Sequence, residues 1–78
     1  MYECKCCGCL TIEDEYDICP VCRWEHDPYQ EKYPDYAGGA NDVSLIEAKE
    51  NYLKFGVCDE RLAEFAREPF PEEISMKE

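Results

Sequence analysis

The chain has 78 residues, 19 of them acidic against eight Lys or Arg, for a formal charge of −11. Seven residues are cysteine, about the density at which a short chain is stapled by metal or disulfides. The length allows one small domain with a marginal core. No apolar run approaches the roughly 18 residues of a membrane span, and the acidic balance argues against affinity for a nucleic-acid backbone.

Residues 1–26 hold six of the cysteines. Cys4-x-x-Cys7 and Cys19-x-x-Cys22 are two pairs whose spacing lets a tight turn aim both sulfurs at one ion. Two such turns facing each other make the tetrahedral four-thiolate site that zinc favours, with iron as the alternative. Gly8 follows Cys7, where a positive φ is convenient, and Pro20 stiffens the second turn. Disulfides fit less well, because seven is odd and the Met1-Tyr2-Glu3-Cys4 start carries no secretory pattern. A reducing, cytoplasmic setting is therefore expected. Cys6-x-x-Cys9 overlaps the first pair and is a competing register. His26, four residues after Cys22, could replace one thiolate. Cys58 lies far along the chain, where it is either a small buried apolar residue or a distal ligand or redox thiol.

Leu10-Thr11-Ile12 and Tyr16-Asp17-Ile18 both alternate apolar and polar around the turn-like Glu13-Asp14-Glu15. The pattern predicts a short β-hairpin joining the two cysteine turns. Trp24 is expected to cover the sulfurs.

Residues 27–42 contain two prolines and the pair Gly38-Gly39, which argues against a regular element. Tyr29, Tyr33 and Tyr36 argue against disorder. They either pack this loop onto the metal module or form an aromatic surface for a partner.

Residues 43–69 predict two helices. Ser44-x-x-Glu47 is a capping box and Gly56 a stop. Between them Leu45, Ala48, Tyr52 and Phe55 fall on one stripe, widened by Ile46 and Leu53. Asp59 is a second N-cap, for a helix from Glu60 to about Glu68 that ends before Pro69; Leu62, Phe65 and Ala66 form its apolar face. The acidic tail, 70–78, is expected to fray.

Taken together, Cys4-Lys5-Cys6-Cys7-Gly8, Ile18-Cys19-Pro20-Val21-Cys22, Trp24-Glu25, Asp27-Pro28, Gly38-Gly39-Ala40-Asn41, Ser44-Leu45, Glu47-Ala48, Asn51-Tyr52, Phe55-Gly56 and Cys58-Asp59-Glu60-Arg61 resemble the cysteine-rich CPCC family of small bacterial and phage proteins. The resemblance implies a metal-binding domain and supports Cys4, Cys7, Cys19 and Cys22 as ligands. Lys5 stands where the family usually has proline, and Arg23 where it usually has glycine. The turns are also similar to the two knuckles of rubredoxin. The expected fold is a small metal-stabilised α+β domain: a zinc-ribbon or rubredoxin-like knuckle pair with a short β-hairpin, then a C-terminal helical hairpin.

Four thiolates leave no open position for a catalytic water, and no hydrolase, phosphate-loop or dinucleotide motif is present. An enzyme is not expected. Glu25, His26 and Asp27 are adjacent and point apart on an extended chain, which suits acid–base work poorly. The favoured reading is a non-catalytic, acidic protein–protein interaction module. Its charge is spread evenly, −4 over 1–26, −3 over 27–42 and −4 over 43–78, and would steer it toward a basic protein. An immunity protein, antitoxin or anti-defence inhibitor is one form of that idea. A rubredoxin-like iron carrier, or a redox sensor using Cys6, Cys9 or Cys58, is the other class.

Overall fold

A computed structural model describes residues 2–74. The amino-terminal third consists of two turns built alike. In the first, the Cys4 N–H donates to Cys9 O at 2.8 Å and the Gly8 N–H to Cys4 O at 2.7 Å. In the second, the Cys19 N–H donates to Trp24 O at 2.9 Å and the Arg23 N–H to Cys19 O at 2.8 Å. The same pair of bonds, at the same spacings, closes both cysteine turns.

Closing each turn forces its own flanks together. Strand β1 (Tyr2–Glu3) pairs antiparallel with β2 (Leu10–Ile12), Tyr2 opposite Ile12 and Glu3 opposite Leu10. Around the second turn Ile18 bridges Glu25. This corrects the predicted hairpin: Leu10–Ile12 does not pair with Tyr16–Ile18. Alternation marks a strand but does not choose its partner; here turn closure makes that choice. Residues 13–17 instead form a turn in which the Asp17 carboxylate accepts from the Glu13 and Asp14 amides at 2.9 and 3.0 Å. Those bonds hold its carboxyl below the usual range.

The stretch 27–42 also departs from expectation, because it contains helix α1 (Pro28–Lys32). Asp27 caps it, Oδ1 accepting from the Tyr29 and Gln30 amides at 2.9 and 3.3 Å. Pro28 at the first helical position has no amide to waste and starts the helix instead of breaking it. The rest of the segment is tied down by a side chain, Gln30, which is fully buried. Its Nε2 reaches the carbonyls of Tyr36, Asn41 and Val43, each at 3.1 Å, and its Oε1 accepts from Asn41 N and Nδ2 at 2.9 Å. Asn41 in turn accepts from Glu25 N and donates to Glu25 O, both at 2.8 Å, pairing with that residue's backbone as a neighbouring strand would. Gly39 passes so close that a Cβ there would lie 2.8 Å from Asp27 Oδ2 and 2.9 Å from Gln30.

Helix α2 (Leu45–Phe55) follows its signals. Ser44 Oγ accepts from the Glu47 amide at 3.1 Å, and Gly56 stops the helix in the left-handed conformation. Ser44→Ala should cost about 1 kcal/mol, read as a lowered denaturation midpoint at fixed metal. The buried stripe is narrower than predicted. Leu45 and Ala48 are buried and Tyr52 is partly so, but Ile46 and Phe55 are exposed and Leu53 is 86 % exposed. With so small a body beneath it, the helix covers its support with one row of side chains.

The predicted second helix is a 3₁₀ segment, Glu60–Phe65, with no buried residue. Leu62 packs on the core edge while Phe65 stays exposed. Without apolar burial to offset nucleation, a short α-helix is not sustained. Its start is fixed by Asp59, which accepts from the Arg61 amide at 3.0 Å and is clamped by the Arg61 guanidinium at 2.6 Å. A second 3₁₀ turn, Pro71–Glu73, lies beside β2. There Glu73 pairs with Arg67 at 2.8 Å, and the Arg67 guanidinium stacks 4.0 Å from the Phe70 ring. The part of the tail expected to fray is thus held as far as Glu73; residues 75–78 lie outside the described residues.

Candidate metal centre

The core is made of cysteine as much as hydrocarbon. Cys4, Cys6, Cys9, Cys19, Cys22 and Cys58 are buried together with Ile12, Val21, Trp24, Leu45 and Ala48. The Trp24 indole N–H donates to Glu31 Oε2 at 3.0 Å, so the buried ring keeps its polar edge satisfied.

The sulfurs of Cys4, Cys7, Cys19 and Cys22 all lie within 4.8 Å of one another. Cys4 and Cys22 are 3.5 Å apart, and Cys7 and Cys19 3.7 Å. A zinc ion bound by four thiolates at about 2.3 Å requires sulfur–sulfur edges of about 3.8 Å. The donor set therefore fits one tetrahedral ion contributed equally by the two turns. All seven cysteines are free thiols. These four cannot ionise independently. Cys19 is held far below the ordinary thiol range by the neighbouring Cys22, Cys4 and Cys7 thiols, Cys4 is also lowered, and Cys22 and Cys7 are pushed up. Four thiolates this close stand together only around a cation.

The remaining sequence candidates are placed elsewhere. Cys6 Sγ donates to Ala48 O at 3.4 Å, under α2. Cys9 is buried beside the first turn, and burial raises its thiol. Cys58 is fully buried, with its thiol pushed up to about 12 by burial; its amide donates to Cys22 O at 2.7 Å, fastening the chain after α2 to the second turn. His26 is not in the sulfur group: its Nδ1 lies 2.8 Å from Glu31 Oε2. The Glu25 backbone amide donates to Asn41 Oδ1, while the Asp27 carboxylate accepts from the Tyr29 amide.

One feature was not legible from the motifs, and a second, Arg23 in place of the usual glycine, was. Thr11 Oγ1 donates to Cys19 Sγ at 3.0 Å across the two turns, a hydrogen bond that would temper thiolate charge. Its only sequence signal is its position two residues after Cys9. Arg23 takes φ of 71° where Gly8 takes 82° in the matching turn. The second turn thus keeps its shape with a side chain in the left-handed region, at a cost of about 1 kcal/mol or more.

Tyr29, Tyr33 and Tyr36 are all exposed. They pack on each other, Tyr29 to Tyr33 at 4.8 Å and Tyr29 to Tyr36 at 5.0 Å edge-on. Lys32 Nζ sits 5.6 Å from the Tyr33 ring centroid. Gln30 fastens the loop, and the three tyrosines are about half-exposed.

Fold and site together define a small α+β protein organised around a closed cluster of four cysteine sulfurs. The family model for cysteine-rich CPCC proteins matches residues 2–73, nearly the whole chain, and the protein belongs to that family. No curated protein matches the sequence. No helix among the described residues is long and apolar enough to cross a membrane.

Proposed function

We propose that the protein is a non-catalytic, zinc-binding interaction module with a zinc-ribbon or rubredoxin-like knuckle pair at its centre, working in a reducing compartment such as the cytoplasm. The observation that carries this is the sulfur group: Cys4, Cys7, Cys19 and Cys22 lie close enough to supply all four positions of a tetrahedral ion, whose contribution would then be structural. Zinc would provide cross-linking without redox chemistry, and the chain's residues do the rest. The paired turns aim the sulfurs, Trp24 is buried in the same core, and Thr11 donates to Cys19.

The binding surface is assigned to Tyr29, Tyr33 and Tyr36. Three outward rings on a loop fixed from beneath offer large contact area at low entropic cost. The charge of −11 would draw this surface to a basic protein, and a loaded site with two thiolate charges in excess of a dication adds to that field. Inhibition of a basic nucleic-acid-binding protein, as an immunity protein, antitoxin or anti-defence inhibitor would perform it, is the biological form this chemistry suits.

The test is capture of partners by the metal-loaded chain over a range of salt concentrations, beside a Tyr29→Ala, Tyr33→Ala, Tyr36→Ala triple variant. The expected partner is basic, its retention falls steeply with salt, and the variant does not hold it. An acidic partner, or retention indifferent to salt and to the tyrosines, contradicts the proposal. Iron is the second reading, since a four-thiolate set suits it as well as zinc. A red ferric form that cycles reversibly would replace the interaction role with electron transfer.

A further inference from the structure

Three of the four cluster cysteines are closed to solvent. Cys4 is 1 % exposed and Cys19 and Cys22 are 0 %, whereas Cys7 is only partly buried. Cys7 lines an open cleft of about 440 Å³ whose walls include Glu3, Cys9, Tyr52 and Pro69. Cys9, two positions along the chain, lines the same opening. Between them Gly8 lines the cleft with no side chain to obstruct it. The other spare thiols lack this access. Cys6 donates to a helix carbonyl, and Cys58 faces a different cleft that none of the four cluster cysteines lines.

We propose that Cys7 is the oxidation site of the cluster and Cys9 its resolving thiol, so that a hydroperoxide entering this cleft converts the pair to a disulfide and releases the ion. The inference rests on the metal-site reading above. The Cys7 thiolate attacks one oxygen of hydrogen peroxide, the O–O bond breaks, and Cys7 sulfenic acid and hydroxide result. The Cys9 thiol then attacks the Cys7 sulfur, the S–O bond breaks, and one water leaves as the Cys7–Cys9 bond forms. Two electrons pass from the two sulfurs to the peroxide. The cluster has lost one of its four donors, and three thiolates no longer close the site. A disulfide spanning a single intervening residue is strained and hence readily reduced. Two equivalents of a small thiol would restore both cysteines and the site.

The test uses the full chain loaded with zinc and treated with equimolar hydrogen peroxide. Released zinc is followed with a chromogenic chelator, and disulfides are mapped by fragmentation mass spectrometry without reduction. The expected result is one zinc released with a Cys7–Cys9 bridge, both reversed by excess thiol and zinc. Cys9→Ser, which keeps the four cluster sulfurs, should form no bridge and accumulate sulfenic acid at Cys7, trapped by dimedone. Cys58→Ser should behave as the parent. A bridge at other residues, or Cys9→Ser accumulating no sulfenic acid at Cys7, overturns the proposal. If Cys9→Ser does not fold, the map of the parent chain decides. A chain that takes up no metal overturns the metal-site reading before any peroxide is added, whereas one that loads and then loses its ion without a Cys7–Cys9 bridge overturns this inference alone.

Discussion

Cys22→Ser should yield a chain that neither retains metal nor folds, while Cys9→Ser retains both. Cys22 is fully buried, its sulfur lies 3.5 Å from that of Cys4, and its carbonyl receives the Cys58 amide. Removing that sulfur opens the coordination and loosens the junction between the two halves of the chain. Structural zinc sites supply on the order of 10 kcal/mol of folding free energy, comparable to the whole net stability of a typical domain. Little else here could compensate. Apart from cysteine, the buried apolar residues among the described residues are Ile12, Val21, Trp24, Leu45, Ala48 and Val57. Metal content and far-ultraviolet circular dichroism on the two variants check this. If Cys9→Ser loses the ion while Cys7→Ser keeps it, the donors are the overlapping pair Cys6 and Cys9.

The second large effect is expected at Gln30→Leu. The substitution nearly conserves volume, so the loss is one of hydrogen bonding. It leaves the Asn41 amide and the carbonyls of Tyr36, Asn41 and Val43 without the partner they now share. An orphaned buried polar group costs about 1–3 kcal/mol, and relaxation of the loop will recover part of it, so the net should be about 3–5 kcal/mol. Asn41 also holds Glu25, the outgoing flank of the second cysteine turn, so the damage reaches the metal module without touching a sulfur. The measurement is amide hydrogen exchange on the metal-loaded variant. Ala40 and Asn41 should lose protection while the metal content stays at the parent level. Unchanged protection at both amides would mean that the loop is held by something other than Gln30.

What could be read from the sequence was what local chemistry determines. The bounds of α2 follow from Ser44 and Gly56, because a hydroxyl satisfying an amide and a residue free to adopt positive φ act within one turn. Cysteine spacing likewise indicated two turns aimed at one point, and left two registers open because Cys4-x-x-Cys7 and Cys6-x-x-Cys9 satisfy it equally. The misreadings concern partners chosen at a distance. Leu10-Thr11-Ile12 was legible as a strand, but pairing with Tyr2–Glu3 is imposed by closure of the cysteine turn between them. Pro28 was weighed as a breaker, although the Asp27-Pro28 order is also a helix start. Gln30 gave no signal, since a glutamine in a polar segment is ordinarily on the surface and only the return of residues 36–43 makes its burial favourable. Phe55 and Leu53 lie where periodicity expects burial, but the body is too small to receive them.

The account stands on one ion held by four cysteine sulfurs. X-ray absorption at the metal edge of the protein as purified, with elemental analysis of the same sample, measures this directly. The expected result is one ion per chain, with four sulfur neighbours at about 2.3 Å and no nitrogen or oxygen in the first shell. A mixed sulfur–nitrogen shell, more than one ion per chain, or no ion retained would contradict it.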